Sequence, residues 1–192
     1  RKFLKDTLIE VSKDYSEVSI ATGYWDLEGM KIILPEIQNY SKIRLLIGRE
    51  PVISRYQLQI PVPEPDYPDQ DFKFDLSMLK PDSALTETVA KIKELIEKGT
   101  LEVRVYRKNF LHAKCYIFGS YTSDTAIGII GSSNFTKNGL TLNTELNALE
   151  SDHRIVLSEP KTETQEVGHL FWFDSFWNDE TTEKWHEEFG EI

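Results

Sequence analysis

Three short segments carry side chains able to handle a phosphate ester. They are Leu111-His112-Ala113-Lys114-Cys115-Tyr116, Gly131-Ser132-Ser133-Asn134-Phe135-Thr136 and Asn143-Thr144-Glu145-Leu146-Asn147. His112 and Lys114 stand two apart on a predicted strand, a spacing that turns both side chains to one face. Ala113 and Cys115 then face the core. An imidazole beside an ammonium packs poorly but suits a phosphate, because the ammonium neutralises a nonbridging oxygen while the imidazole attacks or protonates. In the second segment an apolar run, Ala126 to Gly131, ends abruptly in Gly-Ser-Ser-Asn. Strand ends are where α/β sheets place ligands. Ser132 and Asn134 can donate hydrogen bonds to phosphate oxygens there. A helical turn from Asn134 to near Gly139 would add free backbone N–H groups that favour an anion. In the third segment Glu145, on a predicted strand over Thr144 to Glu150 with Leu146 and Ala148 on the other side, could hold one ring nitrogen of His112. The other nitrogen would stay free to attack.

The elements that must position these groups alternate between helix and strand. Apolar residues Phe3, Leu4, Leu8, Ile9 and Val11 give Lys2 to Lys13 a helical stripe. Strands are expected at Glu17 to Tyr24, Lys42 to Gly48, Leu101 to Arg107 and Ala113 to Phe118. Ala126 to Gly131, apolar and bounded by turn residues, reads as a buried central strand. Helices are expected at Leu27 to Tyr40 and at Ser83 to Lys98, capped by Ser83 or Thr86 and stopped by Gly99. Two closing helices are expected, Thr162 to Phe176 and Thr181 to Phe189. The class is therefore α/β, a mixed sheet sandwiched between helices. Residues 50 to 82 hold most of the prolines and are longer than an ordinary connection, so they read as a surface excursion.

The chain has 192 residues, 40% hydrophobic and 28% charged, which fits one globular domain over 1–192. A start at Arg1 and a charged helical stretch up to Ile192 read as a fragment of a longer protein. The net charge of −10 removes bulk steering toward nucleic acid or an anionic membrane, while leaving room for a local cationic pocket. Cys115 is the one cysteine, so neither an intrachain disulfide nor a cysteine metal cluster can form. Its neighbours make it a small core residue rather than a reactive thiol. There is no apolar run of spanning length and no signal-peptide pattern, and the expected compartment is the cytoplasm. The aromatic cluster Phe171, Trp172, Phe173, Phe176 and Trp177 reads as helix packing in preference to base stacking. Tyr106, Arg107 and Lys108 read as a solvated strand end, with phosphate contact as the sharper alternative.

The H-x-K segment followed by G-S-x-N and N-x-E resembles the phospholipase D superfamily, whose hallmark is H-x-K-x4-D-x6-G-S-x-N. The resemblance spans Leu101 to Glu150. Thr22-Gly23-Tyr24 is also similar to phospholipase D-like nuclease domains associated with helicases or restriction enzymes. It implies a metal-independent phosphodiesterase with no cofactor and DNA as substrate. His112 corresponds to the nucleophile, Lys114 and Asn134 to the phosphate ligands, Ser132 to the Ser of G-S-x-N, and Glu145 to the acid that supports the histidine in the nuclease branch. Gly119 stands where the pattern has its Asp, five residues after Lys114, and the loop to Gly131 is longer than the pattern. Asp124 is the nearest carboxylate, with no reason to place it in the site.

The reaction needs two histidines, and only one H-x-K is present. His153, His169 and His186 lack a Lys partner and a following G-S-x-N. The resemblance therefore implies a homodimer whose copies share one pocket, a helicase or ATPase domain in the same full-length chain, and no membrane partner. The alternative is an inactive domain of the same fold used for DNA docking or dimerisation. A lipid phosphodiesterase is disfavoured by the acidic charge and the lack of a basic interfacial helix.

Overall fold

The computed structural model describes residues 2–48, 83–108, 111–123, 125–151 and 168–185. The Pro-rich excursion, Asp124, His153 and His186 lie outside the described residues. A seven-stranded mixed sheet runs in the order β6-β5-β4-β1-β2-β3-β7. Its strands are β1 (Glu17–Thr22), β2 (Lys42–Ile47), β3 (Leu101–Tyr106), β4 (Lys114–Phe118), β5 (Ile127–Gly131), β6 (Asn147–Ser151) and β7 (Thr182–Lys184). β1, β2 and β3 are parallel, and β4, β5, β6 and β7 each join their neighbour antiparallel. The helices are α1 (Leu4–Val11), α2 (Leu27–Ile37), α3 (Ser83–Glu97), α4 (Lys137–Thr141) and α5 (His169–Trp177).

Apolar side chains on both faces of the sheet build two cores. On one face Leu8, Met30, Ile33, Ile37, Ile92 and Leu140 from α1 to α4 pack on Ile20, Leu45, Val105, Tyr116 and Phe118. On the other, Leu170, Phe173 and Trp177 of α5 pack on Ala21, Leu46, Tyr106, Cys115 and Ile117. β1 is buried along almost its whole length, as a strand with helices on both faces must be. The expected α/β sandwich is the observed one.

Four expectations need correction. β5 is not central: it lies second from the sheet edge, and Ile130 is 36% exposed. Of the segment expected as a last helix from Thr181, residues Thr182–Lys184 instead form β7, and residues 186–189 lie outside the described residues. Asp179 accepts from both the amide and the hydroxyl of Thr181 and turns the chain after α5. The β-branched threonines then pair with the open edge of β3, and Trp185 packs edge-on against Trp25 with ring centroids 5.7 Å apart. α3 begins at Ser83, so Thr86 falls inside it and not before its first residue. β6 begins at Asn147, later than expected, for a reason given below. Cys115 is buried, which pushes its thiol up to about 12 and suits a core residue. In the α5 cluster Phe173 and Trp177 are buried, while Phe171 is exposed.

Candidate active site

All three motif segments meet at one end of the sheet. β1 ends there at Thr22, β4 starts there at Lys114, β5 ends there at Gly131 and β6 starts there at Asn147. Thr22 lies opposite Lys114 in the β1–β4 register. Its hydroxyl donates to the Tyr24 carbonyl at 2.7 Å and accepts from the Phe135 amide at 3.0 Å. The side-chain oxygen of Asn134 accepts from the Tyr24 amide at 3.3 Å and lies 3.4 Å from the Thr22 hydroxyl. One residue thus brings Lys114 and Asn134 to the same place.

His112 precedes β4 rather than lying in it, so no ladder bond enforces its direction. Packing does instead. Leu111, Ala113, Cys115 and Ile117 all belong to the core beneath α5. That alternation leaves His112 and Lys114 to the opposite side, the side of Thr22 and Asn134. Leu111 is buried and its carbonyl passes so close to Gly48 that a Cβ there would sit 2.0 Å away, which anchors the lead-in. His112 is exposed, whereas Lys114 is only 7% exposed. The arrangement sets a solvent-facing histidine two residues before a buried lysine.

Glu145 lies in the loop before β6, not on a strand. The Ser132 amide still donates to the Leu146 carbonyl at 3.0 Å, but the Leu146 amide goes to the Ser132 hydroxyl at 3.1 Å. The side chain takes the place of a main-chain acceptor, and the ladder stops there. Leu146 is 82% exposed, and Ala148 is exposed too, so neither packs as expected. The Glu145 carboxylate accepts from the Ser132 hydroxyl and, at 3.0 Å, from the Asn143 amide group. Ser132 and Ser133 divide their work. Ser132 is exposed beside Glu145. Ser133 is fully buried, with its hydroxyl accepting from Asn147 at 2.9 Å and its carbonyl accepting from Tyr116 at 2.9 Å.

The helical turn expected from Asn134 instead runs over Lys137–Thr141, with Gly139 inside it. Its N-terminus is not open to an anion. Thr136 accepts from the Gly139 amide at 3.1 Å, and Asp26 accepts from the Lys137 amide at 3.0 Å. The same carboxylate caps α2 through the Gly29 amide at 2.6 Å. Burial raises the Asp26 pKa, and the Gly29 and Lys137 amides work against that shift. Sequence reading passed over Asp26 and the structural part played by Thr22. A signal existed for each: an Asp directly before an apolar helical run, and a lone hydroxyl at the end of a buried strand.

Gly119, in place of the Asp of the hallmark, has φ +100° and closes the turn after β4. A Cβ there would lie 3.0 Å from the Thr125 carbonyl and 3.2 Å from Ala126. Gly119→Asp is therefore expected to lower stability by about 1–3 kcal/mol, read as a lower urea midpoint, and to give no gain in activity. An unchanged midpoint would remove the claim that this turn requires glycine. Among the described residues, no three His, Cys, Asp or Glu side chains group as metal ligands. None of the described helices is long and apolar enough to cross a membrane.

A mixed sheet between helical layers, with an H-x-K lead-in and a G-S-x-N turn at one end, defines a phospholipase D-like domain. The chain belongs to the family described as "Cardiolipin synthase, PLD-like domain", whose pattern matches residues 7–163. The fold is similar to that of Nuc, a phospholipase D family member from Salmonella typhimurium. There the identity is 12%, the TM-score 0.50, and 95% of this chain aligns with 91% of that one. It is also similar to phosphatidylserine synthase from Haemophilus influenzae, at 18% identity and a TM-score of 0.53, covering 98% of this chain and 38% of that one. No curated protein matches the chain significantly in sequence.

Proposed function

We propose that this domain is a metal-independent phosphodiesterase that cuts DNA as an endonuclease, through a phosphohistidine intermediate, in a site shared by two copies. The observation that carries the reading is the convergence of Lys114 and Asn134 on Thr22, with His112 turned to the same side and open to solvent. His112 of one copy attacks phosphorus, forming a P–N bond as the P–O bond to the leaving group breaks. The imidazolium of the second copy's His112 gives its proton to the departing oxygen. Water then attacks phosphorus, the P–N bond breaks, and the second imidazole takes the water proton. Lys114 and Asn134 of both copies hold the nonbridging oxygens and stabilise the charge on the transferring group. Glu145 holds the orientation of the histidine, and Ser132 lines the pocket beside it.

The wider setting follows the same reading: residues 1–192 as one domain, cytoplasmic, within a longer helicase-linked or restriction enzyme. The left-handed glycine at position 119 favours one competing reading, a silent domain that docks DNA or dimerises. Plasmid DNA and phosphatidylcholine vesicles, each incubated with the purified chain in EDTA, decide between them. Nicking or linearisation of the plasmid in EDTA is the expected result. Turnover of lipid alone would replace the substrate, dependence on a divalent cation would end the mechanism, and no turnover of either would favour the silent domain.

A further inference from the structure

Asn134 can serve a phosphate only if its amide points the right way. A carboxamide has one accepting end and one donating end, and only the NH2 end can bind a phosphate oxygen. The Tyr24 amide is a main-chain donor aimed at the Asn134 side chain, and oxygen alone can accept from it, at 3.3 Å. That contact fixes the flip and turns the two N–H bonds of the NH2 group away from Tyr24. The residue that carries this amide, Tyr24, is anchored through its carbonyl by Thr22, which is fully buried. Its single hydroxyl hydrogen goes to the Tyr24 carbonyl at 2.7 Å, so the 3.4 Å approach to Asn134 is a contact rather than a second donation. Its lone pair takes the Phe135 amide at 3.0 Å. The hydroxyl therefore pins Tyr24 through its carbonyl and Asn134 through the peptide group it shares with Phe135, and the same residue lies opposite Lys114.

We propose that Thr22 is a positioning residue for the phosphate site: its buried hydroxyl orients the Asn134 amide so that the NH2 group faces a nonbridging phosphate oxygen. This rests on the phosphodiesterase reading for its role in turnover, but not for its role in binding an anion. The Ser19, Ile20 and Ala21 side chains that precede Thr22 are buried, so its own side chain is set by the strand and not by the ligand.

The test titrates inorganic phosphate into the wild-type chain, Thr22→Val and Thr22→Ser, each with Asn134 intact and as Asn134→Ala. Binding is followed by the Asn134 side-chain NH2 signals where Asn134 is present, and by calorimetry throughout. Thr22→Val keeps the shape and deletes the hydroxyl. It is expected to weaken phosphate binding about 5- to 10-fold, the scale of one neutral hydrogen bond. It should have no further effect once Asn134 is alanine. Thr22→Ser should bind within about twofold of wild type, because it keeps the hydroxyl. Wild-type affinity in Thr22→Val, or an equal loss in both backgrounds, would overturn the proposal. If Thr22→Val fails to fold, Thr22→Cys, of similar size with a weak donor, takes its place with the same expected pattern. Cleavage of bis-p-nitrophenyl phosphate in EDTA is measured alongside. A wild-type chain that binds phosphate with the expected pattern but cleaves nothing sinks the phosphodiesterase reading and leaves the orientation of Asn134 standing. A wild-type chain that binds no phosphate overturns both.

Discussion

Replacing His112 by alanine is expected to lower phosphodiester cleavage by about 10^4-fold or more, with no loss of stability beyond about 0.5 kcal/mol. Both halves of the expectation come from placement. The imidazole is exposed and precedes β4, so its removal opens no cavity and breaks no ladder. The residues that hold its segment, Leu111 and Ala113, stay in the core beneath α5. In the proposed mechanism the chemistry has no other route, because the same side chain supplies the nucleophile in one copy and the proton in the other. EDTA should leave the wild-type rate unchanged. Turnover by His112→Ala near the wild-type rate would refute the phosphohistidine, and a parallel drop in the urea midpoint would recast His112 as structural.

The proposed sharing of the site gives this variant a second signature. When wild-type and His112→Ala chains are unfolded together in equal amounts and refolded, about a quarter of the dimers carry two histidines. Activity per wild-type chain should then fall to about half. Independent sites would leave it unchanged.

The motif spacing and the apolar patterning were enough to read most elements, because they depend on local chemistry. β1, β2 and β3 alternate or run apolar, and they are found within a residue or two of their expected ends. What the sequence could not disclose was set by partners distant along the chain. The α4 N-terminus looks like an anion site until Asp26, 111 residues away, is seen to fill it. Thr182 to Lys184 sit in a charged stretch that reads as helix, and only the open edge of β3 makes them a strand. Glu145 left its expected strand because a hydroxyl, that of Ser132, substituted for a carbonyl. Lys114 and Asn134 were named from their motifs, but their meeting place depends on the β1–β4 register and on Thr22, which motif spacing does not encode.

The sheet face opposite the candidate site should carry the largest stability effect. Arg44 on β2 is 13% exposed and pairs with Asp174 on α5, 25% exposed. Its Nε donates to the Ser19 hydroxyl at 3.0 Å, and its guanidinium lies 4.7 Å from the Phe173 ring centroid and 5.6 Å from that of Trp177. Tyr121 donates to the other Asp174 oxygen at 2.9 Å. Arg44→Ala removes a stacked cation and leaves a half-buried carboxylate with the tyrosine as its remaining partner. The expected loss is about 3–5 kcal/mol by urea denaturation, a large share of a domain's stability. Replacing both partners by apolar residues of similar volume, Arg44→Met with Asp174→Leu, should recover most of it, since the desolvation penalty disappears along with the attraction. At temperatures where Arg44→Ala stays folded, its cleavage rate should match wild type, because Arg44 packs under α5 while Lys114 faces the other way. A double variant no more stable than Arg44→Ala would mean that the aromatic stack, and not the ion pair, is what Arg44 contributes.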